Sequence, residues 1–81
     1  MADTSDAGEV RVPDLGEVDA VTVVDWLVGE GDAVEVGAAL LEVETEKTTF
    51  VIDAPRAGRL ARILVREGER ARRDDLLARI E

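Results

Sequence analysis

Between residues 41 and 54 apolar and polar side chains alternate with period two, and that alternation fixes a register. Leu41, Val43 and Thr45 share one face, and Glu42, Glu44 and Glu46 share the other. Beyond Lys47, residues Thr48, Phe50, Ile52 and Ala54 share one face again. A period of two is the signature of a half-buried strand. If Glu46-Lys47 is a two-residue turn, Thr45 pairs with Thr48, Val43 with Phe50 and Leu41 with Ile52, and all three pairs point toward a core. No other nearby turn centre keeps these apolar residues together. The turn residues are not the Asn-Gly or Asp-Gly that such turns favour, so the register carries the argument. It predicts a protruding hairpin with Lys47 at its exposed tip.

The rest of the chain also reads as strands. Val10 and Val12 flank Arg11 in a short edge segment that ends at Pro13. Residues 20–28 are rich in Val, as strands prefer. Their alternation slips between Val23 and Val24, which predicts a bulge or a strand buried on both sides. Residues 69–80 are ambiguous, since their pattern passes for a helix as well as for a turn followed by a strand.

An internal repeat decides that ambiguity in favour of turn and strand. Shifted by 37 positions, residues 26–44 fall on 63–81 with six of nineteen identical. Trp26-Leu27-Val28 meets Ile63-Leu64-Val65, Glu30-Gly31-Asp32 meets Glu67-Gly68-Glu69, and Leu40, Val43 and Glu44 meet Leu77, Ile80 and Glu81. Each copy reads strand, glycine turn, short linker, strand. Gly31 and Gly68 are expected to supply positive φ in their turns. Pro55 and Gly58 mark the joint between halves.

Size and composition narrow the chemistry. With 81 residues and no Cys, the chain makes one small domain without disulfides or a thiolate metal site. It also lacks His, the commonest general base and metal ligand, so self-contained hydrolytic or metal catalysis is not expected. Net charge is -9. Residues 1–54 carry 14 acids against Arg11 and Lys47, whereas residues 55–81 carry eight Arg against five acids. An acidic body argues against nucleic acid as a partner. The Arg-rich half reads as a solvated charged face, with a docking patch as the alternative. The polar, acidic start has neither the basic residues nor the apolar stretch of a secretory signal, and no apolar run is long enough to span a membrane. The expectation is a soluble cytoplasmic protein with residues 1–8 disordered and a folded domain over 9–81.

Lys47 is the single lysine among nine arginines. An arginine-biased genome would thin out lysine everywhere, which makes the survivor worth explaining. An amine can lose its proton and form an amide, and a guanidinium in a protein effectively cannot. Lys47 is therefore a candidate for covalent modification.

Three runs resemble the lipoyl domains of 2-oxo acid dehydrogenase acyltransferase components, in the biotinyl/lipoyl-attachment family. They are Val12-Pro13-Asp14-Leu15-Gly16-Glu17, Trp26-Leu27-Val28-Gly29-Glu30-Gly31-Asp32 and Glu44-Thr45-Glu46-Lys47-Thr48. The resemblance implies an all-β fold, a flattened barrel of two four-stranded antiparallel sheets with quasi-twofold symmetry. It implies lipoic acid joined as an amide to Lys47, and a monomeric carrier domain with no catalytic site of its own. Implied partners are a 2-oxo acid decarboxylase, a dihydrolipoamide acyltransferase core, a dihydrolipoamide dehydrogenase, and the lipoate ligase or lipoyl transferase that loads the lysine. Glu44, Thr45, Glu46, Thr48 and the segment Leu15-Gly16-Glu17 are implied recognition residues, with plain solubility or a simple loop as the alternative. Two positions depart from the family pattern: Glu46 stands where Asp is common, and Thr48 where Ala is frequent. The alternatives are a biotin carrier domain, whose lysine typically has Met on both sides, the larger lipoyl-bearing carrier of glycine cleavage, and an unmodified barrel acting as an adaptor.

Overall fold

The computed structural model describes residues 8–13, 15–16 and 18–81. Of the segment expected to be disordered, residues 1–7 lie outside the described residues, as does Glu17 of the expected recognition set. Gly8 is described and buried. Eight strands follow in chain order: β1 (Glu9–Arg11), β2 (Ala20–Trp26), β3 (Ala33–Val34), β4 (Ala39–Glu44), β5 (Thr49–Asp53), β6 (Gly58–Ile63), β7 (Arg70–Arg72) and β8 (Leu76–Ile80). They form two four-stranded antiparallel sheets, ordered β1-β8-β6-β3 and β5-β4-β2-β7. The all-β fold implied by the resemblance is therefore present, and residues 69–80 are turn and strand rather than helix.

Each half of the repeat lends its short strand to the other half's sheet. Thus β7 pairs with β2, and β3 pairs with β6. The 37-residue shift persists in the ladders: Val23↔Val43 becomes Leu60↔Ile80, and Trp26↔Leu41 becomes Ile63↔Ala78. It persists in the turns, where Gly31 N–H donates to Leu60 O at 2.7 Å and Gly68 N–H donates to Val23 O at 2.8 Å. Gly31 and Gly68 have φ of 94° and 87°, the left-handed region that glycine enters without steric cost. The slip at Val24 is a bulge, since the register skips from Val23 to Asp25, and β6 skips Ala61 at the equivalent place. The bulge turns the alternation over, so Val24 and Asp25 both face solvent.

The core lies between the sheets. Leu40, Leu41, Val43, Leu60, Leu77 and Ala78 are fully buried there. Leu40 and Leu77 are repeat equivalents, as are Leu41 and Ala78. No polar side chain is buried among the described residues, so cohesion comes from apolar burial and the backbone ladders. β1 bears the same relation to β8 that β5 bears to β4: Val10 opposes Ala78 as Ile52 opposes Leu41. The β4–β5 turn of one half thus corresponds to the gap between Ile80 and Glu9 in the other. The single connected tip carries Lys47, and the quasi-equivalent place holds the last residues of β8 and the first of β1.

Candidate functional site

The β4–β5 ladder has the register that the alternation predicts, with Leu41 opposite Ile52 and Val43 opposite Phe50. Thr45 N–H donates to Thr48 O at 2.8 Å and closes the two-residue turn. The Thr45 hydroxyl, expected as a recognition group, holds the turn together in the structure. Its Oγ1 accepts from the N–H groups of Lys47 and Thr48, both at 3.2 Å, and donates to Thr48 O at 3.2 Å. Serine and threonine hydroxyls hold turns in this way. Thr45 is half-buried while Thr48, its partner, is exposed, so only one of that pair faces the interior. Glu44, Glu46, Lys47 and Thr48 are all exposed. Among the described residues the Lys47 ammonium has no ion pair or hydrogen bond.

Leu15, Gly16, Val18 and Asp19 stand at the same end of the sheet. Thr22 opposes Glu44 on one side and Arg70 on the other, so residues preceding Ala20 lie level with the turn beyond Glu44. Leu15 packs against the core and forms a bridge with Val18, and Gly16 has φ of 77°. Leu15 and Phe50 share the walls of a cleft of ≈ 340 Å³ between the β1 and β5 edges, with Val10, Pro13, Ile52 and Pro55. Of the implied recognition residues, the structure places Leu15, Gly16, Glu44, Thr45, Glu46 and Thr48 at one end of the molecule.

Two features of the structure were not legible in the sequence, one at this end and one remote from it. Arg73 Nη2 reaches Gly16 O at 3.0 Å, Val18 O at 3.3 Å and the Asp19 carboxylate at 3.1 Å. Away from the tip, Asp25 and Glu67 share a hydrogen bond between carboxyl groups. That bond, with burial and the charge on Glu67, pushes Asp25 above its ordinary 3.8. Glu67 is held below its ordinary 4.5 by the Trp26 N–H first and by Asp25 second.

The comparisons with known proteins agree with this architecture. Residues 8–80 match the biotin/lipoyl family described as "Biotin-requiring enzyme". This chain belongs to the biotinyl/lipoyl-attachment family. The dihydrolipoyllysine-residue succinyltransferase component of the 2-oxoglutarate dehydrogenase complex from Bartonella vinsonii is 40% identical over 74 residues, 90% of this chain and 18% of that protein. The dihydrolipoyllysine-residue acetyltransferase component of the pyruvate dehydrogenase complex from Corynebacterium glutamicum is 41% identical over 80 residues, 98% of this chain and 12% of that protein. The chain thus spans less than a fifth of the length of these relatives. Among solved structures, the lipoyl domain of the 2-oxoglutarate dehydrogenase complex from Azotobacter vinelandii superposes with a TM-score of 0.75 at 25% identity, covering 91% of this chain and 95% of that one. The urea carboxylase of Kluyveromyces lactis superposes with a TM-score of 0.76 at 26% identity, over 91% of this chain and 6% of that one. The same barrel thus recurs in a lipoyl domain and in a small part of a urea carboxylase, so the fold alone does not fix the chemistry it serves.

Proposed function

We propose that this attachment domain is a lipoyl carrier, with lipoic acid amide-linked to Lys47, serving a 2-oxo acid dehydrogenase complex. The observation that carries the reading is the exposed, unpaired Lys47 at a turn tip pinned by Thr45. Nucleophilic attack by an amine needs access and a free ammonium to deprotonate, and a residue held in an ion pair supplies neither. When bound, the lipoyl disulfide accepts an acyl group together with two reducing equivalents and later yields both. The chain's own part is mechanical. Thr45 fixes the turn, the β4–β5 ladder anchors it to the barrel, and the four-carbon Lys stem gives reach and freedom. Glu44 and Glu46 keep the tip hydrated and give it a negative surround.

Lipoyl is favoured over biotin on two grounds. The relatives near 40% identity are named for dihydrolipoyllysine, and the tip flanks are Glu46 and Thr48 rather than Met. Both succinyltransferase and acetyltransferase components are among those relatives, so the proposal extends to the class of 2-oxo acid dehydrogenases. The proposed partners are the decarboxylase, the acyltransferase core, the flavin-dependent dehydrogenase and a lipoate ligase or lipoyl transferase.

Intact-mass analysis of protein made in lipoylating cells tests the reading. One lipoyl-sized addition is expected on the wild type and none on Lys47→Arg. A residue inserted before Glu46 displaces the amine from its place and should abolish modification while the barrel still folds. A biotin-sized addition, or an unmodified wild type, overturns the reading in favour of the biotin carrier or the adaptor.

A further inference from the structure

We propose that this domain associates head to tail with a second copy of itself, the outer face of one sheet docking on the outer face of the other through two cross-strand pairs of opposite charge. On the sheet β5-β4-β2-β7, Asp25 stands directly opposite Glu42. Shifted by 37 positions, the same ladder place on the sheet β1-β8-β6-β3 has Arg62 opposite Arg79. The internal symmetry therefore turns a pair of acids into a pair of arginines. Glu42 lies between the buried Leu41 and Val43, and Arg79 between the buried Ala78 and Ile80. Both pairs thus face away from the core, on opposite sides of the molecule. Like charges directly opposite one another destabilise a sheet, and this fold carries two such pairs. Little within the chain relieves them. Among the described residues the side chains of Glu42 and Arg62 make no ion pair or hydrogen bond. Asp25 has another acid, Glu67, as its hydrogen-bond partner. Arg79 reaches Glu9 at 3.6 Å, and Arg11 already holds that carboxylate at 2.8 Å.

Each pair is the complement of the other. Directly opposite residues on an antiparallel sheet have Cβ atoms about 4.5–5.5 Å apart, and because the two ladders are equivalent, acids and arginines are spaced alike. A second copy laid face on face therefore matches both carboxylates to both guanidiniums at once, and a guanidinium takes a carboxylate in bidentate fashion. The contact is heterologous, and since its two faces lie on opposite sides of the molecule, copies add in a row. The net charge of -9 opposes association. The domain is 19 Å across its shortest dimension, so stacked centres lie more than twice the Debye length of about 8 Å at physiological salt apart. Repulsion between whole copies is largely screened at that distance, whereas charges in contact are screened much less. A few exposed ion pairs hold weakly, so the row forms with a Kd on the order of 1 mM, and a dilute sample stays monomeric. Lys47 lies beyond the end of β4 rather than on either face, so each copy in the row keeps its amine accessible.

The test follows amide NMR shifts of the 81-residue chain as it is concentrated from about 0.05 to about 5 mM, a range that brackets a Kd on the order of 1 mM. At about 0.15 M salt, Asp25, Glu42, Arg62 and Arg79 should shift with concentration while Lys47 does not. Salt of about 1 M, where the Debye length is about 3 Å, should abolish the shifts. Arg62→Glu and Glu42→Arg each turn a like-charged pair into an ion pair within the chain. Each should therefore melt no lower than the wild type, yet associate about tenfold more weakly or worse. The two changes move net charge in opposite directions, so a loss in both does not come from net charge. Mixed together, the two variants should recover one contact: Asp25 and Glu42 should shift in labelled Arg62→Glu, and Arg62 and Arg79 in labelled Glu42→Arg. A wild type without concentration-dependent shifts, a reversal that still associates, or a mixture that stays silent overturns the proposal. Poly-glutamate that shifts Arg62 and Arg79 of a wild type that does not self-associate gives the basic face to another acidic partner, and likewise overturns it. If a reversal fails to fold, Arg62→Gln and Glu42→Gln, which only remove a charge, should still weaken association several-fold.

Discussion

The carboxylate of Glu67 accepts the backbone N–H of Trp26, 41 residues earlier, at 3.0 Å. The internal symmetry repeats the contact: Glu30 accepts the N–H of Ile63 at 2.8 Å. Each half thus uses the glutamate of its Glu-Gly-acid turn to satisfy the end of the other half's long strand. The Trp26 indole adds a bond of its own to Val65 O at 2.8 Å. The two halves are fastened reciprocally, so the platform under the lysine hairpin depends on residues far from it in both directions.

The fastening predicts matched losses. Glu30→Ala leaves the Ile63 N–H to water and breaks a charge-assisted bond, at a cost of about 0.5–1.5 kcal/mol. Glu67→Ala should lower the melting temperature in the same direction, and the double variant should lose more than either. Thermal unfolding monitored by circular dichroism checks this. If either single variant melts like the wild type, the reciprocal bonds do not hold the halves together.

Where Glu30 has Arg66 for a neighbour at 3.9 Å, Glu67 has another acid, Asp25. That asymmetry makes stability depend on pH. The raised Asp25 contributes stability that is present below its ordinary 3.8 and lost as pH rises through its folded value. Glu67 behaves oppositely: its contribution is present above 4.5 and lost as pH falls through its lowered value. Asp25→Asn offers a permanent donor in place of a proton that leaves. It should therefore melt higher than the wild type at pH 7, with the gap closing as pH falls toward 4. Melting curves across that range read the effect, and a gap that is constant with pH would rule out the shared proton.

The hairpin was legible because one face of β4 and β5 is buried, so a register slip of one residue would expose Val43 and Ile52 together. The strand at Leu76–Ile80 was legible only through the repeat, since its own pattern allowed a helix. What stayed hidden was long-range. Asp25 meets Glu67 because the bulge at Val24 turns it outward, and a local alternation carries no information about what waits across the barrel. Arg73 looked like one more charge in an arginine-rich stretch. Its repeat equivalent is Val36, so the internal symmetry carries no sign of the carbonyls that Arg73 reaches.

Leu40 and Leu77 are repeat equivalents and both are 0% exposed. Truncation to Ala at either should cost about 2–5 kcal/mol, the usual loss for a buried leucine. A domain this small commands only about 5–15 kcal/mol in total, so both variants should be far less stable in urea. If one variant unfolds while the other is tolerated, the two halves do not share one core.

Asp74 is the only non-glycine residue with positive φ among the described residues, at 70°, and its repeat equivalent is Gly37 at 83°. Both N–H groups make the same ladder bond, Gly37 to Ala54 O at 2.9 Å and Asp74 to Val12 O at 3.1 Å. A Cβ at Gly37 would meet nothing within 4 Å, so the glycine answers to backbone conformation rather than to crowding. Left-handed backbone costs an ordinary L-residue about 1–2 kcal/mol, and Asp bears it more easily than most because its side chain bonds locally. Gly37→Val should therefore destabilise by about 1–2 kcal/mol, or roughly 4–16 °C of melting temperature at about 4–8 °C per kcal/mol for a domain of this size. Asp74→Gly relieves the strain but frees the unfolded chain, at a cost of up to about 1 kcal/mol, so its melting temperature should rise by no more than a few degrees. The Arg11 guanidinium bonds to Asp74 O at 2.7 Å, a backbone atom that survives the change. A stabilised Gly37→Val, or an Asp74→Gly that loses several degrees, would show that side chains rather than φ set the residue at these two turns.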